Sequence, residues 1–188
     1  MDEVIERFRA AGALLTGHFV LSSGRHSAQY LQCALALQRP AEAGWFGAAL
    51  ARQFADENIE AVASPAIGGL IIGYEVARHL DLPFLWTERE NGVMTIRRGF
   101  SVSPGQRVLV IEDVVTTGGS TREAIQAVQT AGGMVVAAGS IIDRSNGVAE
   151  VGVPRVSLAQ LEVPSYDPAD CPMCARGEVA VKPGSRQL

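Results

Sequence analysis

The chain has 188 residues, of which 47% are hydrophobic, so its length and composition fit one domain with a sizeable core. Its 16 basic and 20 acidic residues give a formal net charge of −4, which argues against non-specific binding to nucleic acid. No basic leader with an apolar segment opens the sequence, and no apolar run is long enough to span a membrane. We therefore expect a cytoplasmic protein without a membrane partner.

The first 35 residues predict a small unit beside the main domain. Residues 4–13 are expected to form a helix, with Val4, Ile5 and Phe8 on its apolar face. Short strands are predicted at 19–21 and 29–32. Together these elements would form an N-terminal hood, from about residue 1 to about residue 35.

Helical and strand patterns alternate from residue 41 onward. Helices are predicted at 41–54, 70–80 and 121–130, and strands at 61–64, 84–87, 108–111 and 135–142. Strands separated by helices of this length indicate right-handed βαβ units, hence an α/β fold with a Rossmann-like parallel sheet. From about residue 164 to residue 188 the chain is rich in Pro, Gly and polar residues, which predicts a loosely packed tail of the same single domain.

Two segments in the middle of the chain have two interpretations each. The turn at Ala66, Ile67, Gly68 and Gly69 suits a cradle of backbone N–H groups for phosphate, or a tight connection in which glycine only relieves steric crowding. The polar segment at 87–100 suits a lid with Arg89 as its main basic contact, or a β-hairpin with solvated charges. We favour the lid.

Residues 108–120, VLVIEDVVTTGGS, are the most informative part of the sequence. Four apolar residues predict a buried strand, at whose carboxyl end ligands bind in open α/β sheets. Glu112 and Asp113 follow, and two adjacent carboxylates are costly to bury unless they meet hydroxyl donors or a cation. The Thr/Gly/Ser turn then offers hydroxyls and N–H groups to a phosphate, ahead of a helix that begins near Ser120 or Thr121 with Glu123 as a capping partner.

Three cysteines are present, Cys33 alone and Cys171 with Cys174 in a CxxC pattern. An odd number of cysteines does not indicate a disulfide framework. A zinc site requires about four ligands, and the chain has no second CxxC, while its histidines lie far away in the sequence. These histidines are His18, His26 and His79. We favour free thiols in a surface tail, with a structural zinc knuckle shared with a partner subunit as the alternative.

Residues 108–120 resemble the phosphoribosyl diphosphate signature of type I phosphoribosyltransferases, which implies the fold of that family. Residues 17–27, GHFVLSSGRHS, are similar to the opening motif of orotate phosphoribosyltransferases. Residues 64–69 resemble the diphosphate loop of these enzymes, residues 87–99 fall where they carry a mobile loop, and residues 142–144 resemble a late strand whose Arg contacts orotate. The matches follow the family order and cover residues 17–144.

The resemblance implies transfer of the 5-phosphoribosyl group from phosphoribosyl diphosphate to orotate, giving orotidine 5-monophosphate and diphosphate. It also implies Mg²⁺, held mainly through the substrate, and a homodimer. Orotate would meet Thr116 and Arg144, and the diphosphate loop would be Ala66, Ile67, Gly68 and Gly69. Phosphoribosyl diphosphate would be bound by Glu112, Asp113, Val114, Val115, Thr116, Thr117, Gly118, Gly119, Ser120 and Arg89, with Glu112 and Asp113 the best candidates for a catalytic role.

The chain departs from the family pattern in its lysines. Ser22 and Gly68 stand where many orotate enzymes have Lys, and Lys182 is the only lysine, so we expect arginines to supply any fixed cationic contact. Two alternatives remain: a phosphoribosyltransferase for another base, and a non-catalytic regulator that binds phosphoribosyl diphosphate. Without the resemblance, Arg144 would be a surface residue paired with Asp143 or Glu150.

Overall fold

A computed structural model describes residues 2–21 and 23–183 of the chain. The N-terminal part contains α1 (Asp2–Ala10), β1 (Leu14–Val20), β2 (His26–Leu31) and α2 (Cys33–Leu37). The central part contains α3 (Pro40–Ala51), a 3₁₀ turn (Arg52–Phe54), β3 (Ala61–Pro65), α4 (Gly69–Leu80), β4 (Phe84–Glu90), β5 (Val93–Ile96), β6 (Arg107–Val115), α5 (Gly119–Thr130), β7 (Met134–Asp143) and β8 (Arg155–Gln160). The C-terminal part contains β9 (Ser165–Tyr166), a 3₁₀ turn (Pro168–Asp170) and α6 (Pro172–Ala175).

A six-stranded sheet in the order β5-β4-β3-β6-β7-β8 forms the centre of the molecule. Its strands pair in parallel except for β5, which is antiparallel to β4. This confirms the predicted α/β fold with a parallel sheet. β8 was not predicted from the sequence, because its side chains are mostly half-buried and give a weak strand signal.

Alternation along β6 produces a hydrophobic core on each face of the sheet. Val108 and Val110 pack on one face against α5, while Leu109 and Ile111 pack on the other against α3 and α4. Successive side chains of a strand point to opposite faces, so one apolar run serves both cores. Burial of each such side chain stabilises the fold by about 1.5–3 kcal/mol.

The strand order reverses between β3 and β6. From β3 the chain continues to its neighbour β4 on one side, and from β6 it continues to β7 on the other. The loops after β3 and β6 therefore leave the sheet in opposite directions and open a crevice at its carboxyl end. Both segments that the sequence predicts to bind phosphate, 66–69 and 116–120, lie at this point.

The hood is a second sheet, in the order β1-β2-β9. β9 comes from the segment that was predicted to be loosely packed, and it pairs with β2 at His26 and Ser27. Further along that segment, Cys171 is only 2% exposed, so the expected loose surface tail is wrong for this residue. The sequence did not reveal this packing because the segment gains its partners from β1 and β2, more than 100 residues earlier. Ser22 and residues 184–188 lie outside the described residues.

Helix ends follow local sequence rules. α3 begins with Pro40 in its first turn, where a missing N–H costs nothing, and α4 ends at Asp81 in a left-handed conformation (φ 55°). Among the described residues, no helix combines the length and the apolar character needed to cross a membrane.

Candidate active site

A cavity of about 640 Å³ lies between the hood and the carboxyl end of the sheet. Tyr30 and Cys33 line it from the hood side, and Asp113, Thr116 and Arg144 line it from the ends of β6 and β7. The three residues on the sheet side were each predicted from the sequence as ligand contacts. The fold therefore brings them to one cavity.

Glu112 and Asp113 lie within β6 rather than after it, because the strand continues to Val115. Glu112 is 6% exposed, and its Oε1 accepts a hydrogen bond from the Asp113 N–H (3.2 Å). Asp113 Oδ1 accepts one from the Val114 N–H (2.8 Å). Burial, followed by the neighbouring charge of Asp113, raises the pKa of Glu112 well above the usual carboxyl range. A cation or hydroxyl donors at this position would relieve that cost.

The turn at 66–69 packs directly on the acid pair. A Cβ at Gly68 would lie 2.8 Å from Asp113 Oδ1, and a Cβ at Gly69 would lie 2.9 Å from the Ile111 carbonyl oxygen and 3.2 Å from Glu112 Oε1. Any larger residue would have to displace the strand end or the carboxylates, so both glycines relieve steric crowding, and their role as a phosphate cradle stays a prediction. The same contacts place the turn beside the acids, where it can also meet a ligand that they hold.

The turn after β6 leads into α5 through Gly118, whose φ of 74° favours glycine. Within the described residues no side chain caps this helix end, so the N–H groups of its first turn have no side-chain acceptor there. The predicted cap by Glu123 is wrong, because Glu123 forms an ion pair with Arg89 instead. An uncapped helix N-terminus beside the exposed Thr116 and Thr117 is suited to a phosphate group.

Arg144 follows β7 and lines the cavity. Its backbone N–H donates to the Val115 carbonyl (2.7 Å), which ties the end of β7 to the end of β6. Its Nε is buried and, within the described part of the chain, has no hydrogen-bond partner. Burial lowers the pKa of the Arg144 guanidinium, while Cys33 and Tyr30 act in the opposite direction. A buried guanidinium nitrogen without a partner is costly, so an acceptor at this position would be stabilising.

The expected alternative, a surface pair of Arg144 with Asp143, is wrong. Asp143 accepts hydrogen bonds from the Ser145 N–H (2.7 Å), the Ser145 hydroxyl (2.6 Å) and the Gly147 N–H (3.0 Å), and it pairs with Arg155 (3.0 Å). Burial alone would raise the pKa of Asp143, but the bonds from Ser145 and then Arg155 hold it below its usual value. Asp143 thus fixes the loop that carries Arg144.

Comparison with known proteins identifies the family. The model of the phosphoribosyl transferase domain matches residues 43–162, and the orotate phosphoribosyltransferase of Pelotomaculum thermopropionicum is 54% identical over 187 residues, covering 100% of this chain and 98% of the relative. The chain belongs to the orotate phosphoribosyltransferase family. The crystal structure of the orotate phosphoribosyltransferase from Aeropyrum pernix is similar, with a TM-score of 0.72, 29% identity and coverage of 84% of this chain and 93% of that one.

A second solved structure of an orotate phosphoribosyltransferase adds a ligand. The enzyme of Mycobacterium tuberculosis in complex with 5-phospho-alpha-D-ribosyl 1-diphosphate has a TM-score of 0.69 and 27% identity, with coverage of 86% of this chain and 97% of that one. The fold is thus the type I phosphoribosyltransferase fold that the sequence predicts.

In this member of the family the segment at 87–100 contains a β-hairpin. β4 and β5 pair from Thr87 with Ile96 to Glu90 with Val93. Arg89 donates to the Gly92 carbonyl (2.9 Å) and pairs with Glu123 on α5, and it is not among the residues that line the cavity. The hairpin interpretation is therefore correct for the secondary structure. Whether the hairpin also acts as a lid stays a prediction.

Lys182 lines the same cavity as Asp113 and Arg144. Lys182 is thus a further candidate for a cationic contact, and the expectation that arginines supply every such contact stays a prediction. Lys182 is held there because Val181 pairs with β1: the Val181 N–H donates to the His18 carbonyl and the Val181 carbonyl accepts from the Val20 N–H, both at 2.8 Å. The alternating run at 178–182, EVAVK, is the sequence signal that could have indicated a strand-like segment.

Proposed function

We propose that this protein transfers the 5-phosphoribosyl group from phosphoribosyl diphosphate to orotate, in pyrimidine nucleotide synthesis. The choice of orotate depends on Arg144, which lines the same cavity as Asp113 and Thr116. Its Nε is buried and has no hydrogen-bond partner among the described residues. Orotate is a carboxylate, and a guanidinium is the side chain best suited to bind a carboxylate.

The sugar and its phosphate would bind along the crevice at the strand reversal. We assign the ribose hydroxyls to Glu112 and Asp113, because hydroxyl donors relieve the cost of two adjacent carboxylates. We assign the 5-phosphate to the turn that leads into α5. Its members are Val114, Val115, Thr116, Thr117, Gly118, Gly119 and Ser120, and the uncapped helix end supports this role.

The leaving diphosphate would lie between two groups. The turn of Ala66, Ile67, Gly68 and Gly69 touches the acid pair and so lies beside the sugar. Arg89 would reach diphosphate only by exchanging its pairing with Glu123, and both side chains are nearly half-exposed, so this exchange costs little. Closure of the hairpin over the cavity would exclude water.

Magnesium fits the residues at the crevice. Glu112 and Asp113 carry adjacent oxygen ligands, and the raised pKa of Glu112 indicates that a positive group there would be stabilising. Mg²⁺, held mainly through the substrate, would supply neutralisation of the diphosphate charge as that group leaves.

The protein's own contribution would be alignment and electrostatic stabilisation. The acid pair holds the ribose, the α5 turn holds its phosphate, and Arg144 with Thr116 turns the orotate nitrogen toward the anomeric carbon. None of these steps requires a covalent bond to the enzyme. We also propose that the enzyme is a cytoplasmic homodimer, following the family resemblance for the dimer and the odd number of cysteines, which does not indicate a disulfide framework, for the compartment.

The test is diphosphate release from phosphoribosyl diphosphate and Mg²⁺ with orotate, adenine, guanine, hypoxanthine and uracil. We expect diphosphate release with orotate and with none of the other four bases. Turnover with a purine and none with orotate would assign the chain to another base. Tight binding of phosphoribosyl diphosphate without turnover on any base would identify a regulator.

A further inference from the structure

A cluster of metal-binding side chains lies on the hood, away from the cavity contacts assigned above. It consists of His18 on β1, His26 on β2, and Cys171 and Cys174 around α6, and we call it the Cys₂His₂ cluster. One ligand atom from each residue lies within 4.8 Å of all the others. The histidines and cysteines are about 150 residues apart in the sequence, and this spacing argued against a metal site. The fold brings them together, so the spacing no longer argues against one.

The separations between ligand atoms suit a tetrahedral ion. The Cys171 Sγ lies 3.5 Å from His18 Nε2, and the Cys174 Sγ lies 3.7 Å from His18 Nε2 and 3.3 Å from His26 Nδ1. Bond lengths of about 2.3 Å to sulfur and about 2.0–2.1 Å to nitrogen place S and N ligands about 3.5 Å apart around tetrahedral zinc. The two histidine nitrogens are 2.7 Å apart and would have to separate to about 3.3 Å.

The surroundings of His18 prepare it to bind a metal. Its Nδ1 lies 2.9 Å from the Glu178 carbonyl oxygen, so Nδ1 carries the proton and donates it to that oxygen. The lone pair of Nε2 then points into the cluster. Metal-bound histidines commonly donate their second ring nitrogen to a carbonyl in this way, which fixes the ring and its tautomer. His18 and Cys171 are buried, so the core of the site is shielded from water.

We propose that the Cys₂His₂ cluster binds one structural Zn²⁺ ion. Two thiolates with two imidazoles in a tetrahedral arrangement are a zinc donor set, and four protein ligands leave no position for substrate. Binding releases the two thiol protons and converts a contact between neutral groups into four metal bonds. The ion is therefore a cross-link rather than a catalyst.

The cross-link joins β1 and β2 to the C-terminal segment, which otherwise contact each other largely through hydrogen bonds. The hood sheet has three short strands, so a metal can add to its stability. Between Cys174 and Lys182 the chain makes its two backbone bonds to β1 at Val181. Zinc at the cluster thus anchors the segment that brings Lys182 to the cavity.

The first test is the metal content of the full chain, purified under reducing conditions from zinc-supplemented cells without a metal-affinity step. We expect about one zinc per chain. Cys171→Ser with Cys174→Ser, and His18→Gln with His26→Gln, should each lose the zinc. Cys33→Ser and His79→Gln, which change the remaining cysteine and histidine outside the cluster, should retain it.

The second test does not depend on how well the variants fold. Wild-type protein, stripped with a chelator, is titrated with Co²⁺, and we expect the visible spectrum of a tetrahedral thiolate site that saturates at about one equivalent. Hydrogen exchange should show that residues 176–183 exchange faster after stripping and slow again after Zn²⁺ is restored. Wild type without zinc and without the tetrahedral Co²⁺ spectrum, or a Cys171–Cys174 disulfide in the reduced preparation, would overturn the proposal. Neither measurement uses turnover, so failure here leaves the orotate assignment untouched.

Discussion

The arginines of two charged regions around the crevice differ in whether they have carboxylate partners. In the β4–β5 hairpin, Arg89 pairs with Glu123, and the neighbouring Arg97 and Arg98 pair with Glu88 or Glu90. At the end of β7, Arg144 has a buried Nε that no described residue accepts from. The three arginines of the hairpin thus have carboxylate partners, whereas Arg144 has a buried donor available to a ligand.

Whether a charged side chain already has a partner indicates how available it is to a ligand. An exposed ion pair is worth about 0–1 kcal/mol, so the hairpin gains little from its pairs and can exchange them. A buried guanidinium nitrogen without a partner costs about 1–3 kcal/mol or more, and a ligand that accepts from it removes that cost. Among the described residues this applies to Arg144, while burial and the neighbouring charge of Asp113 make ionised Glu112 costly.

Asp113→Asn should have the largest effect on turnover. The amide keeps the shape of the carboxylate but loses the charge proposed to accept from the ribose hydroxyls, so kcat/KM for phosphoribosyl diphosphate should fall about a hundredfold. Glu123→Gln, an equally conservative change at the α5 partner of the hairpin residue Arg89, is the control and should change kcat/KM less than about threefold. Equal losses in the two variants would erase the distinction between crevice and hairpin.

Arg144→Ala should raise the KM for orotate roughly thirtyfold, because a charge-assisted bond to the carboxylate is lost. The affinity for phosphoribosyl diphosphate, measured by calorimetry without orotate, should change little. Arg144→Lys should recover only part of the loss, since an ammonium cannot form the two parallel bonds of a guanidinium. An unchanged KM for orotate would contradict the assignment of Arg144.

Lys182→Ala tests the contribution of the C-terminal segment to the cavity. We expect kcat/KM for phosphoribosyl diphosphate to fall about tenfold, because a positive charge near the bound phosphates is removed. Lys182→Arg should restore most of it, and the loss should shrink at high ionic strength. A loss that neither arginine nor salt affects would indicate a packing role instead.

Arg89→Ala should raise the KM for phosphoribosyl diphosphate about threefold and leave the KM for orotate unchanged. The effect is small because wild-type Arg89 must first leave Glu123. The matched check is to measure the KM for phosphoribosyl diphosphate at increasing ionic strength, because salt weakens the exposed pair of Arg89 with Glu123. A large rise in the KM for orotate would place Arg89 in the orotate site and contradict the assignment of orotate to Arg144 rather than to Arg89.

Glu112→Gln should stabilise the free protein while it weakens substrate binding. The folded-state pKa of Glu112 is raised, so the folded chain keeps a proton that the unfolded chain releases above about pH 4.3, and wild-type stability falls as pH rises from there. The variant lacks this loss, so its advantage in Tm should be near zero at pH 4 and reach about 2–4 °C at pH 8.

Asp143→Asn is the opposite control for that experiment. The pKa of Asp143 is lowered in the fold, so its contribution is present above the usual carboxyl pKa and is lost as pH falls. The variant should be less stable than wild type at pH 7, and the gap should narrow toward pH 3. Parallel pH profiles for the two variants would contradict the assigned directions.

The sequence predicted the central sheet and most of the cavity because these depend on local patterns. The apolar run at 108–111, the adjacent acids and the Thr/Gly/Ser turn are contiguous, so their order alone fixes the crevice wall. The position of Arg144 needed only the parallel pairing of β6 with β7. The Asp143 network could not be predicted, because it depends on Arg155, whose strand carries no clear alternation.

The contacts of the C-terminal segment could not be predicted for a different reason. Lys182 reaches the cavity, and Cys171 and Cys174 meet His18 and His26, only through pairing between parts of the chain about 150 residues apart. Neither side of that pairing is strongly apolar. Composition indicated a tail, and only the three-dimensional arrangement shows a third hood strand.

The position of β9 and Val181 beside β1 and β2 has a consequence for the order of synthesis. The first two hood strands leave the ribosome early, but the strand and segment that pair with them are made later, after the whole central sheet. Contacts of such long sequence separation form late in folding, because closing the long loop between them costs conformational entropy before the contacts stabilise the fold. The cavity is therefore completed by residues translated after the whole central sheet, and a chain truncated before residue 165 would carry the central sheet with an open hood.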